Sequence, residues 1–306
     1  MPVVPGALLP EPDAEGVLPA QEVATAAASV GYPLMVKAAF GGGGKGMRLV
    51  EDPAGVQAAC EAAAREAQKA FGDGKVYLEK YLERPRHVEF QIFGDSHGNF
   101  VHLFERECSI QRRHQKIIEE SPSPAVDEAH RQRMGDAAVA AARAVAYEGA
   151  GTVEFLLDAS GAFYFLEMNT RLQVEHPVTE MISDVDIVQE QIKIAANQPL
   201  EIQQADVRIG GHAIEFRINA EDPDQDFRPD PGKITVFEPP SGDGIRIDTH
   251  VEPGYEIPPF YDSMIAKLIV RGSDRKDAIE RSERALDDFR IEGVKTTIPI
   301  HRRILA

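Results

Sequence analysis

The sequence predicts an α/β fold, and three observations carry that prediction. Several runs rich in β-branched and aromatic residues alternate apolar with polar positions, the period of a half-buried strand. Between them lie Ala-rich stretches of helical length, most of them stopped by glycine. The composition is that of an ordinary globular chain, with 43% hydrophobic residues, 27% charged residues and no run of apolar residues long enough to span a bilayer. A chain of 306 residues can bury a substantial core and suggests one large or two modest domains.

Residues 19–30 are Ala-rich, carry Glu22 early and stop at Gly31, which predicts a short helix. Residues 33–38 read as a strand and lead into Gly41-Gly42-Gly43-Gly44-Lys45-Gly46, after which residues 47–50 read as a second strand. The glycine run does not satisfy the dinucleotide fingerprint, which needs a helix after it, nor the phosphate loop of NTPases, which needs Ser or Thr after the lysine. It remains a glycine-rich hairpin tip: either a plain flexible turn, or a flap whose N–H groups close over phosphate, a reading that the flanking Lys37 and Lys45 favour.

Residues 53–71 form a predicted helix with proline at its start and Gly72-Asp73-Gly74 at its end. Two strands follow, 76–82 and 87–93, parted by Arg84-Pro85; the first is an ordinary strand or the wall of a slot for a planar, polar-edged ligand. Residues 99–110 are another alternating strand, ending in Gln111-Arg112-Arg113-His114-Gln115-Lys116. That cationic knot reads as a solvated turn or as a clamp for phosphoryl transfer. Residues 125–147 predict a long helix, 184–197 a shorter one, and 274–289 a charged amphipathic one. From Gly210 onward strands dominate, at 212–221, 233–238, 245–251 and 264–271, with a Pro/Asp-rich loop at 221–231.

The chemistry concentrates in Glu167-Met168-Asn169-Thr170-Arg171-Leu172-Gln173-Val174-Glu175-His176, directly after the strand-like Phe163-Tyr164-Phe165-Leu166. On a strand, Glu167 and Asn169 share one face. Residues 151–157 read as the preceding strand, and Asp158-Ala159-Ser160-Gly161 as a hairpin turn, so Glu154 falls beside them. Carboxylate and amide oxygens of this kind suit Mg²⁺ held between protein and phosphate better than zinc. On spacing alone the same residues also read as a solvated strand end.

The formal net charge of -17 argues against a nucleic-acid or anionic-membrane partner, so a polyanionic ligand requires local cations and a metal. Cys60 and Cys108 are too few for a disulfide framework. The first thirty residues hold no Lys or Arg and several acids and prolines, unlike a signal or transit peptide, and a cytoplasmic location is expected. Pro2-Val3-Val4-Pro5-Gly6 reads as the end of a strand, and further chain is expected upstream.

Taken together, Val36-Lys37 before the glycine loop, Glu79-Lys80-Tyr81-Leu82, Arg86-His87-Val88-Glu89, the knot at 111–116, residues 167–176, Gly211-His212-Ala213-Ile214-Glu215, Ala220-Glu221-Asp222-Pro223 and Tyr261-Asp262-Ser263-Met264 resemble the biotin carboxylase component of biotin-dependent acyl-CoA and pyruvate carboxylases. The resemblance spans essentially the whole chain. It implies an ATP-grasp fold: an ATP-grasp region over 1–198 with a lid at roughly 9–81, then a biotin-carboxylase C-terminal region over 199–306. A nucleotide-fold domain that precedes this region in the family is not among these residues, and the family's C-terminal end is expected to extend beyond Ala306.

The implied reaction is the ATP-dependent carboxylation of biotin by bicarbonate through carboxyphosphate. By resemblance, Lys37 contacts the ATP phosphates, Gly42, Gly43 and Gly44 cover them, and Glu79, Lys80 and Leu82 line the adenine pocket. His87, Gln111 and His114 lie around the ribose and phosphates, and Glu154, Glu167 and Asn169 hold Mg²⁺ or Mn²⁺. Lys116, Arg171, Gln173 and Val174 surround bicarbonate, Glu175 is its general base, and Arg246 faces the enolate-like oxygen of deprotonated biotin. The implied partners are a biotin carboxyl carrier protein or domain and a carboxyltransferase, with a homodimer as the implied assembly. The competing readings are a Mg-ATP-binding fragment without biotin-dependent turnover, and another ATP-grasp ligase acting on a different carboxylate.

Overall fold

In the computed structural model the strands pair antiparallel wherever a ladder register is defined. The structure describes residues 1–40, 47–113 and 115–306, so the expectations placed on Gly42, Gly43, Gly44 and His114 lie outside the described residues. The chain divides into two compact units.

The smaller unit comprises residues 2–85 and 158–165. It holds β1 (Gly6–Leu8), α1 (Ala20–Val30), β2 (Leu34–Ala38), β3 (Arg48–Val50), α2 (Val56–Phe71) and β4 (Val76–Lys80). The sheet order is β1-β4-β2-β3. Alternation along β2 and β4 sends Leu34, Val36 and Leu78 into a core with Val23 and Ala27 of α1 and Cys60, Ala63 and Ala64 of α2. Gly31 and Gly72 end the two helices at positive φ, as the sequence predicts.

The larger unit is built on β5 (Arg86–Gly94), β6 (Phe100–Arg112), β7 (Gln115–Ser121), α3 (Glu128–Ala144), β8 (Gly149–Leu157), the part of β9 (Phe163–Asn169) from Leu166 onward, α4 (His176–Ser183) and α5 (Ile187–Ala195). It continues through β10 (His212–Asn219), the two-residue strands β11 (Glu221–Asp222) and β12 (Arg228–Pro229), β13 (Val236–Glu238) and β14 (Ile245–Thr249). The chain closes with β15 (Met264–Gly272), α6 (Arg275–Asp288), β16 (Arg290–Glu292) and α7 (Ile298–Leu305). An eight-stranded sheet runs β14-β15-β10-β7-β6-β5-β8-β9.

Two differences from the sequence reading bear on the site. Of the cationic knot, Gln111 and Arg112 end β6, Arg113 has φ 49, and Gln115 and Lys116 open β7. A polar tip hides the return strand because Gln115-Lys116 opens it before its apolar positions begin. The second is α4, eight residues that start at His176 with Pro177 in the first turn. A helix that short offers barely two turns of periodicity to read.

Parity on β10 sorts its side chains between two layers. Ile214, Phe216 and Ile218 enter a core with Leu268 and Val270 of β15 and Ala278, Ala285 and Leu286 of α6. Ala213 packs with Ile269 against Val178 and Ile182 of α4 on the other side, so Glu215 and Arg217 are directed to that face. Gly272, at the end of β15, has no room for a methyl group: a Cβ there would lie 2.2 Å from the backbone nitrogen of Ala278. Gly272→Ala must displace α6 and is expected to cost about 1–3 kcal/mol, read as a lower denaturation midpoint; an unchanged midpoint refutes this packing constraint.

Candidate active site

Parity and register in the larger sheet bring its polar residues together. Across the β5–β8 ladder Glu89 stands opposite Glu154, with His87 one diagonal away on the same face. His87 Nε2 lies 2.7 Å from Glu154 Oε2, and Gln111 Nε2 lies 2.8 Å from His87 Nδ1. Asn169, on β9, donates from Nδ2 to Glu154 Oε1 at 2.8 Å.

Lys116 is the centre of this group. Its ammonium donates to Glu89 at 2.6 Å, to Glu175 at 2.5 Å and to Glu154 at 3.4 Å. Burial alone would drive Lys116 toward its neutral form, but Glu89 first and then the other surrounding acids outweigh it and raise its proton affinity. Glu89 has a second cation behind it: Arg106, fully buried, donates from Nε at 2.6 Å and spreads its other donors over Gln91, Thr152 and Thr179. Burial pushes the Glu89 carboxyl up, yet Arg106 and Lys116 hold it down at about 2.

Glu175 sits at the start of α4 and is 1% exposed. One oxygen meets Lys116, and the other accepts from Arg217 Nη2 at 3.0 Å. Arg217 also donates from Nε to Glu119 at 2.7 Å. The Val174 carbonyl accepts from Lys267 at 2.8 Å. Gln173 is buried, and its Nε2 has no acceptor among the described residues. Arg171 stays exposed, with Nη1 3.2 Å from the Leu172 carbonyl and Nη2 3.5 Å from Asn169 Oδ1.

Of the residues singled out by sequence, His87, Gln111, Lys116, Glu154, Asn169 and Glu175 are linked by hydrogen bonds, and Arg171 stands at their margin. Glu167 is exposed on β9. Arg246 has other partners: Asp248 accepts from it at 2.8 and 3.0 Å and Glu180 at 2.6 Å, and Lys267 links Asp248 to the Val174 carbonyl. The guanidinium that meets Glu175 belongs to Arg217. In the smaller unit, Lys37 pairs with Glu79 across β2 and β4, Lys80 donates to the Tyr32 carbonyl at 3.0 Å, and Leu82 is half-buried past β4.

Sequence reading missed Glu89, Arg106, Glu119, Glu215, Arg217 and Lys267. A signal for Glu89 was present: polar residues at 87, 89 and 91 alternate with apolar ones, marking a polar face on the strand read at 87–93. The same parity marks Glu215 and Arg217.

Carboxylate and amide oxygens suit a hard divalent cation. By donor type Glu154, Glu167 and Asn169 fit one, and Glu154 and Asn169 converge, with Asn169 Nδ2 donating to Glu154 Oε1.

Residues 4–203 match the family described as carbamoyl-phosphate synthase L chain, ATP binding domain, and residues 215–306 match the biotin carboxylase C-terminal domain. The chain belongs to the biotin carboxylase family. It is 57% identical over 295 residues to the biotin carboxylase of Nostoc sp., covering 96% of this chain and 66% of that one. It is 55% identical over 295 residues to the chloroplastic biotin carboxylase 2 of Populus trichocarpa, covering 96% of this chain and 56% of that one. The chain therefore spans less than two thirds of the length of these relatives.

Among solved biotin carboxylases, the β-γ-ATP complex from Campylobacter jejuni superposes with a TM-score of 0.90 at 48% identity, covering 100% of this chain and 67% of that one. The biotin carboxylase domain of Hydrogenobacter thermophilus 2-oxoglutarate carboxylase, in complex with MgADP, ADP and bicarbonate, gives 0.88 at 47%, with 100% and 66% covered. The fold is the ATP-grasp fold of biotin carboxylases, as the resemblance implied.

Proposed function

We propose that this chain carries the biotin carboxylase half-reaction, in which ATP phosphorylates bicarbonate to carboxyphosphate and the CO₂ released from it carboxylates a ureido nitrogen of biotin. The observation that carries this reading is the buried Glu175 carboxylate, fixed between the Lys116 ammonium and the Arg217 guanidinium. Two cations beside a held base form a seat for a small anion that must lose a proton. The unpaired Gln173 amide and the exposed Arg171 fork add donors at the same loop, and a planar guanidinium suits a planar oxyanion. The solved relative that holds MgADP and bicarbonate supports the same assignment.

In this reading Glu175 takes the bicarbonate proton, while Lys116, Arg171, Gln173 and Val174 orient the anion. The role the resemblance gave Arg246, facing the enolate-like oxygen of biotin, passes to Arg217, because Arg217 is the guanidinium that meets Glu175. His87 and Gln111 position the ribose and phosphates. In the smaller unit Lys37 contacts phosphate, and Glu79, Lys80 and Leu82 contact adenine. Mg²⁺ or Mn²⁺, held by Glu154, Glu167 and Asn169, would supply charge neutralisation at the nucleotide phosphates. Residues 1–198 form the ATP-grasp region and 199–306 the C-terminal region. A biotin carboxyl carrier and a carboxyltransferase are the proposed partners, a homodimer the proposed assembly and the cytoplasm the proposed location. Among the described residues no helix is long and apolar enough to cross a membrane.

The deciding assay is ADP release by the chain with Mg²⁺ and bicarbonate, with and without free biotin. Biotin-stimulated release supports the reading; nucleotide binding without it sinks it. Glu167→Gln is expected to raise the Mg²⁺ concentration needed for half-maximal ADP release by about 10-fold or more. An unshifted Mg²⁺ titration removes Glu167 from the metal set.

A further inference from the structure

Three carboxylate oxygens of the larger unit lie buried with no donor among the described residues: Glu119 Oε2 and both oxygens of Glu215. Each residue has 0% exposure. They face each other directly across the β7–β10 ladder, and opposed side chains in an antiparallel pair share one face with Cβ atoms about 4.5–5.5 Å apart. Two ionised carboxylates so placed would repel one another, and Glu215 would give up its hydration with no compensating donor. One proton resolves both problems. A Glu215 hydroxyl would donate to Glu119 Oε2, while Glu119 Oε1 accepts from Arg217.

We propose that Glu119 and Glu215 share one proton and act as a positioning pair behind Glu175, fixing the Arg217 guanidinium between Glu119 and the Glu175 carboxylate. The charged groups around Glu215 are Glu119 from β7, Lys267 from β15, Arg217 from its own strand and Glu175 at the start of α4. On α4, His176 bonds the Gln173 carbonyl and Glu180 is engaged by Arg246. Lys267 is turned to the Val174 carbonyl and Asp248, so no cation among the described residues hydrogen-bonds Glu215. Burial, and then Glu119, push the Glu215 carboxyl well above the usual carboxylate range. Burial also pushes Glu119 up, to about 7, against the pull of Arg217. With its proton the pair carries a single negative charge. A second would compete with Glu175 for Arg217 and change the basicity of Glu175.

The link to Glu175 as base rests on the bicarbonate reading above; the shared proton does not. Because both carboxyls are raised in the folded chain, the stability they contribute is full below the ordinary carboxylate range and is lost as pH rises through their folded values, about 7 for Glu119 and well above the usual range for Glu215. Infrared spectra of the chain at neutral pH are expected to show a protonated-carboxyl stretch that disappears in Glu215→Gln. The amide of that variant keeps a donor for Glu119, so the variant is expected to fold and to lose much of the fall in melting temperature with rising pH. A stretch that persists in Glu215→Gln, or a melting curve that falls as steeply as in the parent, overturns the shared proton. For positioning, Glu215→Leu, with no donor, is expected to turn over bicarbonate at least about 10-fold more slowly than Glu215→Gln. Equal turnover overturns the positioning role. A chain with no turnover overturns the bicarbonate reading instead, and the spectral and melting results still decide the pair.

Discussion

Glu175→Gln is expected to lower bicarbonate-dependent ADP release by about 10²–10⁴-fold, the range for loss of a positioned general base. The substitution keeps the size and the hydrogen-bonding reach of the side chain, so the loss reports the missing proton acceptor rather than a collapsed site. Nucleotide affinity should stay within a few-fold, because none of the groups assigned to adenine or phosphate bonds to Glu175. A kcat within about 3-fold of the parent would be too small for this role. A fall in nucleotide affinity that matches the fall in turnover would reassign Glu175 to binding.

The second large effect lies in the core. Arg106→Met is expected to lower unfolding free energy by about 3–5 kcal/mol, the cost of removing one partner from a buried ion pair. Arg106 and Glu89 both have 0% exposure, and the Arg106 side chain reaches four neighbours. Removing it leaves Glu89 Oε1 without its donor, with Lys116 alone on Oε2, and frees the oxygens of Gln91, Thr152 and Thr179. Denaturant titration measures the loss directly. The double variant Arg106→Met/Glu89→Gln should recover part of it, since no uncompensated charge remains. A loss in the double variant equal to the sum of the single losses would show that the two side chains do not act as a pair.

The sequence revealed the site unevenly, for physical reasons. The strand carrying Glu167 and Asn169, its hairpin turn and the neighbouring Glu154 were legible because strand parity is local, and Asn169 does reach Glu154 at 2.8 Å. Lys116 was legible as part of a cationic run, although its strand was not. The second cation on Glu175 was illegible because its proximity is set by long-range register: Arg217 is 42 positions from Glu175 and 98 from Glu119. Arg246, in Ile245-Arg246-Ile247-Asp248, was singled out by the resemblance and not by spacing. In the fold, Asp248 on the same strand and Glu180 on α4 claim its guanidinium.

The position of β10 between β7 and β15 gives the site a quality control. Glu215 and Arg217 point to the polar layer only because Phe216 points to the apolar one. A slip of β10 by one residue would swap the two sets and bury the acid and the arginine among Leu268, Val270 and α6. No partly active misregistered form is then available, because the shift that removes Arg217 from Glu175 also destroys the hydrophobic layer. Specific activity in a refolding experiment would count correctly folded molecules and would not report an average over imperfect ones.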